Sequence, residues 1–333
     1  MKIYEKTKSF IKDYYKVLTL YILIFGVFII HLPYYISSPG GILDTSKKVT
    51  TNENFKLKGS LNMAYVSEMH ATIPTYLWSL IAKDWDAEKE ADTVSGSESV
   101  KEMEYRNHML LKESNKTAEL VAYKHSNINY KTSNNKIYIT YIDDLAKTNL
   151  KVKDQIIKVD GKKVTDKNYL FSYIGSKNIG DKVKFTVLEG KKKKNKIATL
   201  IDVNGEPKVG ALLTEDFDII SNRKIKFNFE DSESGPSGGL MLTLAIYSNL
   251  NKIDLTSGKK IVGTGTIDID GNVGEISGIK YKLIGAVKEK ADVFLVPEGT
   301  NYKEAKKLKE ERGYNIDIVP VETIEEALRY LTK

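Results

Sequence analysis

One serine in a glycine-rich turn is well placed to act as a nucleophile. Residues 235–239 read Gly-Pro-Ser-Gly-Gly, and the apolar segment 240–246 that follows predicts a helix. Backbone N–H groups at the start of a helix have no partner within it and can hold an oxyanion, while glycines let a substrate approach the backbone. The structural alternative is a serine that only caps the helix. The turn around Ser237 therefore indicates acyl-transfer chemistry without deciding it.

The histidines exclude a Ser-His-Asp triad of the α/β-hydrolase type. Residues 235–239 satisfy the Gly-x-Ser-x-Gly pattern of those enzymes, but their histidine follows the serine in the chain. All four histidines precede Ser237: His31, His70, His108 and His125. An esterase would then need a carboxylate–lysine pair, which weakens that alternative. The chain also lacks His-Glu-x-x-His, which excludes a zinc peptidase of that type.

With histidine excluded, a lysine is the remaining candidate for the base that activates Ser237. Such a lysine must lie on a buried face of its helix, where its amine can lose its charge. The segment after Gly278 predicts a helix whose apolar stripe is formed by Leu283, Ile284, Val287 and Ala291. At 100° per residue Lys280 falls in the middle of this stripe, whereas Lys282 falls on the opposite, wet face. Burial disfavours a charged amine, so Lys280 is predicted to be the base. The alternative is a lysine whose stem is buried and whose amine reaches water.

Three separated motifs now make a resemblance visible. They are Gly235-Pro-Ser-Gly-Gly-Leu240, then Gly263-Thr-Gly-Thr-Ile267 with Gly271-Asn-Val273, and finally Gly278-Ile-Lys-Tyr-Lys-Leu283. In this order they resemble the proteolytic domain of Lon-type proteases, over residues 206–333. Ser237 and Lys280 are 43 positions apart, as the catalytic dyad of that family requires.

The resemblance implies a serine endopeptidase with Ser237 as nucleophile and Lys280 as general base. Thr264 is implied to support the lysine amine, and Gly235, Pro236 and Gly238 to shape the active-site loop. Two positions depart from Lon, which often has Asp in place of Ser234 and Ala in place of Gly238. The family also implies self-association through the protease domain.

The C-terminal residues alternate between strands and helices, which predicts an α/β (α+β) fold for this domain. The predicted strands cover residues 208–213, 224–230, 260–268, 293–297 and 315–321. The predicted helices cover residues 238–250, 278–291, 303–312 and 324–332, and the last starts with the capping box Thr323-Ile-Glu-Glu326.

Residues 125–203 predict a second, β-rich domain, inserted in or preceding the protease domain. Its centre reads Leu150-x-x-x-Asp-x-Ile-x-x-Val-Asp-Gly161, a strand leading into an Asp-Gly turn. The stretch resembles a PDZ domain, which implies peptide binding by strand addition. Lys153 stands where the family usually has glycine, and no Gly-Leu-Gly-Phe-like loop precedes the first strand. A spacer domain without a ligand is the alternative.

The N-terminus predicts a membrane anchor. Residues 1–16 contain five lysines and form a basic, cytoplasmic segment, whereas residues 17–36 contain no Asp, Glu, Lys or Arg and are predicted to span a membrane as a helix. A cleaved signal peptide is the competing interpretation. Residues 37–124 are predicted to begin with a linker, to about residue 55, and to continue as a strand and helices that pack with the protease domain.

Composition limits the other function classes. The 333 residues include no cysteine, which excludes a thiol nucleophile and Cys-ligated metals. They include only four arginines despite a net charge of +7, and since arginine makes the commonest specific contacts to bases, the composition argues against nucleic-acid recognition. No ATP-binding loop, metal or other cofactor is predicted.

The whole chain resembles the membrane-anchored PDZ–Lon proteases, relatives without the ATPase module that are typical of Gram-positive bacteria. We therefore expect an ATP-independent endopeptidase of the cell membrane, with its catalytic domain outside the cytoplasm and exported or membrane-associated polypeptides as substrates. The alternative is a catalytically silent membrane scaffold whose PDZ-like domain binds peptides.

Overall fold

The computed structural model describes residues 2–52 and 55–333, which form ten helices and nineteen strands. The helices are α1 Lys2–Ile29, α2 Thr45–Lys48, α3 Ile73–Ser79, α4 Glu90–Thr93, α5 Val100–His125, α6 Lys167–Gly175, α7 Gly239–Asn251, α8 Ile279–Lys288, α9 Thr300–Arg312 and α10 Ile324–Leu331. The strands are β1 His31–Asp44, β2 Val49–Thr51, β3 Ser60–Thr72, β4 Asp86–Lys89, β5 Tyr130–Ile142, β6 Lys147–Thr148, β7 Gln155–Val159, β8 Lys162–Lys163, β9 Lys182–Glu189, β10 Lys192–Thr199, β11 Ile201–Val203, β12 Glu206–Lys208, β13 Ala211–Ser221, β14 Ile225–Phe227, β15 Lys260–Gly263, β16 Thr266–Ile267, β17 Val273–Gly274, β18 Val293–Pro297 and β19 Asp317–Val321.

The described chain divides into two compact units. The first consists of residues up to 39 together with residues 66–93, and the second consists of residues 40–65 and 94–333. The long strands β1 and β3 contribute residues to both units.

The prediction of a membrane-spanning helix over residues 17–36, which belong to the first unit, is wrong. Helix α1 ends at Ile29, and residues 31–36 belong to β1, which pairs antiparallel with β4 from Tyr34 opposite Lys89 to Ser37 opposite Asp86. Pro33 disfavours helical backbone at the residue before it, and the aromatic and branched residues that follow favour a strand. Across the described residues, no helix combines the length and the apolar character that a membrane crossing requires. The predicted linker over 37–55 contains the end of β1, α2 and β2.

Parallel strands build the sheet of the second unit that lies under the candidate site. β15 pairs in parallel with both β18 and β3, and β18 pairs in parallel with β19, giving the order β19-β18-β15-β3. Helix α7 is almost entirely buried against this sheet, and α5 packs on α7. The predicted α/β character is confirmed, and each predicted strand and helix of this part has a counterpart within a few residues, except that β14 is shorter and the first strand, β13, continues to residue 221.

A β-rich domain interrupts this arrangement between α5 and α7. Its strands lie in the order β13-β5-β7-β9-β10-β6, and α6 closes one side over a core that includes Ile139, Leu170 and Phe185. β13 is antiparallel to β5 along its length, from Ala211 opposite Ile142 to Ser221 opposite Tyr130. Because β3 and α5 precede this domain and pack with the elements that follow it, the domain is inserted in the chain of the α/β part rather than preceding it.

Candidate active site

The sequence folds the turn around Ser237 into the start of helix α7, as predicted. Gly235 has φ of +89°, a conformation that glycine adopts without strain. The N–H of Gly239 then donates to the carbonyl oxygen of Pro236 at 3.2 Å, which closes the turn, and α7 begins with Gly238 as its N-cap. Ser237 is partly exposed at this point, while the helix behind it is buried. The positive end of the α7 helix dipole lies at this turn, which favours a negatively charged oxygen there.

The loop after β15 fixes the backbone of Ser237. The carbonyl oxygen of Ser237 accepts hydrogen bonds from the N–H of Gly265 at 2.8 Å and from Thr264 Oγ1 at 3.1 Å. In return, the N–H of Leu240 donates to the carbonyl oxygen of Gly265 at 3.1 Å. These reciprocal bonds join the turn to the parallel sheet, so the backbone of Ser237 is fixed between α7 and the loop after β15.

Helix α8 places Lys282 rather than Lys280 in the interior. Lys282 is 4% exposed, and its Nζ donates to Thr264 Oγ1 at 3.2 Å. Lys280 is partly exposed, and its amine lies 5.1 Å from the centroid of the Tyr281 ring. The prediction that Lys282 faces water is therefore wrong.

A close approach of two backbones explains the difference. An added Cβ at Gly285 would lie 2.9 to 3.2 Å from backbone atoms of Gly41, so β1 covers this face of α8. Lys282 is one turn before Gly285 on the same face and is buried with it. An apolar stripe read from side chains cannot show this contact, because glycine adds nothing to the stripe.

The structure thus brings together three of the relevant residues in one chain of hydrogen bonds. The Lys282 amine donates to the Thr264 hydroxyl, which donates to the carbonyl oxygen of Ser237. Thr264 is completely buried and is the residue that connects the lysine to the serine turn. Gly238 lies against β3, where an added Cβ would come 2.6 Å from Met63 Sδ.

Helix α5 also contacts the turn, which the sequence reasoning missed. The carbonyl oxygen of Asn107 accepts from the N–H of Gly235 at 3.0 Å, and Ser114 Oγ donates to the carbonyl oxygen of Pro236 at 3.1 Å. The available signal was the pair of small residues Ser114 and Ala118 at i and i+4, which lets two helices pack closely. Ala118 is one of the apolar positions of this helix, whereas the polar Ser114 is not found by a search for apolar residues.

One further carboxyl group of α5 has a strongly altered affinity for protons. Glu119 is 7% exposed, and burial raises its pKa to about 7, although hydrogen bonding to Tyr123 lowers it in part. The raised pKa means that this carboxyl is readily neutral in the folded protein.

Three carboxylates of the described residues form the group that could best accept a metal ion. Oxygen atoms of Glu298, Glu322 and Glu326 lie within 4.8 Å of one another, and two of these residues are exposed. One Glu326 oxygen already accepts from the N–H of Glu322 at 2.9 Å. This group shares no residue with the serine–lysine cluster.

The inserted β-rich domain contains an apolar cavity of about 610 Å³. It lies between α6 and the start of β13, and the hairpin of β11 and β12 borders it. Side chains that line it include Ile139, Leu170, Phe171, Ile174 and Leu212. Phe171 and Leu212 are 52% and 40% exposed, so the cavity opens to solvent with an apolar rim.

Comparison with known families identifies both domains. Residues 218–333 match the family model of the Lon protease (S16) C-terminal proteolytic domain, and residues 126–200 match the model of the PDZ domain. The chain therefore combines a Lon-type proteolytic domain with a PDZ domain, and the predicted resemblance is confirmed.

Similar proteins match this chain over limited stretches. The Lon protease of Neorickettsia sennetsu is 32% identical over 99 residues, which are 30% of this chain and 12% of that protein. The Lon protease of Brucella suis is 34% identical over 98 residues, which are 29% of this chain and 12% of that protein. The chain thus covers about an eighth of these relatives. Among solved structures, PDZ domains of SdrC-like proteins from Listeria monocytogenes and Listeria innocua are each 28% identical over 23% of this chain. These matches cover 85% and 92% of those chains, with TM-scores of 0.22 and 0.23.

Proposed function

From a Lon-type proteolytic domain and a PDZ domain in one chain, we propose that this protein is a serine peptidase with Ser237 as nucleophile and Lys282 as general base. The observation that carries the proposal is the buried Lys282 amine, which is linked to the Ser237 turn through the Thr264 hydroxyl. Lys282 replaces Lys280 in this role, because Lys280 is partly exposed beside the Tyr281 ring. Lys282 follows Ser237 by 45 positions, two more than the expected spacing.

The proposed reaction uses each of these groups in turn. Burial disfavours the charged form of an amine, so Lys282 takes up the proton of Ser237 Oγ as that oxygen attacks the scissile carbonyl carbon. Backbone N–H groups near Ser237 stabilise the negative oxygen of the tetrahedral intermediate. The protonated Lys282 then gives its proton to the leaving amine, and an acyl-enzyme remains on Ser237. Water activated by the same lysine hydrolyses this ester and restores the serine.

The PDZ domain supports peptide binding, and we propose that it engages polypeptide substrates. The cavity between α6 and β13 has the depth and apolar lining to accept side chains of an extended peptide. Endopeptidase activity without ATP on exported or membrane-associated polypeptides belongs to the same proposal. Self-association of the protease domain stays a prediction of the family resemblance.

A location of the catalytic domain outside the cytoplasm also stays a proposal. It rests on the order of residues in α1, where lysines precede apolar side chains such as Leu23 and Phe25 that are 63% and 67% exposed. Because the chain has no cysteine, a Ser232→Cys variant at an exposed loop position provides a clean reporter. We expect a membrane-impermeant maleimide to label it in intact cells, and labelling only after lysis would contradict the proposal.

The catalytic proposal is tested with the full chain in mild detergent. The readouts are labelling of the serine by a fluorophosphonate probe and cleavage of an unfolded model protein without ATP. We expect Ser237→Ala to abolish both, and Lys282→Met to lower cleavage by about 10² to 10⁴, the usual contribution of a general base. Lys280→Met is the matched control, a lysine two positions away whose loss should leave cleavage within about threefold of the wild type.

Two results would contradict the assignment. Activity lost in Lys280→Met but retained in Lys282→Met would return the role of base to Lys280. A wild-type protein that reacts with neither the probe nor the model protein would favour a silent scaffold that binds peptides through its PDZ domain.

A further inference from the structure

Helix α5 contacts the turn that carries the nucleophile through a buried hydroxyl group. A serine within a helix commonly bonds to a carbonyl of its own helix, four residues back. Ser114 is 6% exposed and instead donates across to the carbonyl oxygen of Pro236, one residue before Ser237. An added Cβ at Gly239 would lie 3.0 Å from Ser114 Oγ, so this turn of α5 also lies directly against the start of α7. Ser114 therefore joins α5 directly to the turn that contains Ser237.

The preceding residue of the same helical turn contacts the PDZ domain. Glu113 Oε1 accepts from Lys167 Nζ at 2.6 Å and from the N–H of Glu215 at 3.0 Å. The Glu113 and Lys167 side chains are 17% and 26% exposed, so this ion pair is partly shielded from solvent. Lys112, one residue earlier, pairs with Asp216 at 2.7 Å, but its side chain is 52% exposed. Of these two ion pairs, the one made by Glu113 is less screened by water.

The two partners of Glu113 belong to two elements, α6 and β13, that line the apolar cavity of the PDZ domain. Lys167 is the first residue of α6, and Glu215 lies in β13, the strand on the other side of the cavity. Adjacent helical residues differ by about 100° in direction, which lets Glu113 face the PDZ domain while Ser114 faces the active-site turn. One turn of α5 thus connects the walls of the cavity to the residue before Ser237.

We propose that Ser114 is a positioning residue for the Gly235–Pro236 turn, and that the Glu113–Lys167 ion pair makes this positioning depend on the PDZ domain. The inference rests on the proposed peptidase function and adds its regulation. With the ion pair intact, α5 holds the turn in the geometry that aligns Ser237 and the oxyanion-binding N–H groups. A peptide that displaces α6 from β13 changes the contacts of Glu113 with Lys167 and Glu215. The resulting shift of α5 changes the position of the active-site turn through Ser114.

The first experiment separates positioning from general structural support. In Ser114→Ala we expect kcat on a fluorogenic peptide and the rate of fluorophosphonate labelling to fall by about tenfold, which corresponds to one hydrogen bond of about 1.4 kcal/mol, while KM stays within about twofold. Ser248→Ala is the matched control, because Ser248 is also buried and also donates to a carbonyl oxygen, that of Ile253, at the far end of α7. We expect the two variants to lose similar thermal stability and only Ser114→Ala to lose kcat.

The second experiment tests the link to the PDZ domain by a double-mutant cycle. We expect Lys167→Met to lower kcat about threefold in the wild-type background and to have no further effect in Ser114→Ala, since coupled residues are not additive. Lys177→Met is the control, because Lys177 pairs with Asp160 at 3.5 Å within the PDZ domain itself. This control should leave kcat unchanged in both backgrounds.

The outcomes distinguish this inference from the function on which it rests. A wild-type protein without labelling or cleavage overturns both. Normal labelling of Ser114→Ala, or an equal loss of kcat in Ser248→Ala, overturns the positioning role alone. Independent, additive effects of Lys167→Met and Ser114→Ala overturn the link to the PDZ domain.

Discussion

Because Glu119 is buried, we expect the unit that carries the active site to lose stability as the pH rises through neutrality. Glu119 lies on the same helix as Ser114, is 7% exposed, and has a pKa raised to about 7 because its charged form is poorly solvated there. A carboxyl whose pKa is higher in the folded state binds its proton more tightly when the protein is folded. Its favourable contribution is fully present below the unfolded pKa near 4.5, and is lost as the pH rises through 7.

The size of the effect follows from the shift. Each unit of pKa difference corresponds to about 1.4 kcal/mol, so raising the pKa from 4.5 to about 7 makes the total cost of charging Glu119 in the folded state about 3 kcal/mol. Most of this cost accumulates between about pH 5 and about pH 8, where integration of the proton-binding difference gives 2 to 3 kcal/mol. Glu119→Gln keeps the shape of the side chain but has no charged form in this range.

Urea unfolding of the wild type and of Glu119→Gln at about pH 5 and about pH 8 measures this effect. We expect the free energy of unfolding of the variant, relative to wild type, to rise by about 2–3 kcal/mol between the two pH values. Glu104→Gln, on an exposed position of the same helix, is the control and should show little change. A relative stability of Glu119→Gln that does not change with pH would refute the assignment of a raised pKa to this carboxyl.

Two further predictions test the packing around the site and the PDZ domain. Gly285→Ala should lower peptide cleavage at least about tenfold with Lys282 still present. The added Cβ would lie 2.9 to 3.2 Å from the backbone of β1 and push α8 away from it. Unchanged cleavage together with an unchanged melting temperature would contradict this contact. Lys196→Met should destabilise the PDZ domain by about 3–5 kcal/mol, because it leaves the carboxylate of Asp154, which is 1% exposed, without its buried partner. Hydrogen exchange of the PDZ strands measures the loss, and Lys208→Met, which removes an exposed ion pair, should leave that exchange nearly unchanged.

The position of Ser237 at the start of α7 could be predicted from the sequence because local rules determine it. A Gly-Pro turn ahead of a continuous apolar segment fixes where α7 begins, and Ser237 stands at that point whatever the rest of the chain does. The same holds for the strands β15 and β18, whose buried residues form short apolar runs typical of parallel sheets. Thr264 was found through its motif, and the structure gives it a physical role as the bond between Lys282 and the turn.

The N-terminal segment shows where hydropathy alone misleads. Residues 17–36 are free of charge, yet α1 ends at Ile29 and the rest of the segment becomes part of β1. The change from helix to strand depends on Pro33 and on pairing with β4, which is distant in sequence. A count of apolar residues registers neither influence, so the predicted helix extended seven residues too far.

The two lysines of α8 illustrate why the buried lysine could not be predicted in the same way. A helical wheel ranks positions by the apolar residues of one helix, and it placed Lys280 on the stripe and Lys282 in water. Burial of Lys282 depends instead on contacts from other segments, the backbone of Gly41 against Gly285 and the hydroxyl of Thr264. Glycines and hydroxyl groups carry little weight in hydropathy, yet they determine how closely two backbones approach and which polar group a buried amine reaches. In a site built from small residues, the glycine spacing on α8 is therefore a better guide to the buried face than its apolar stripe.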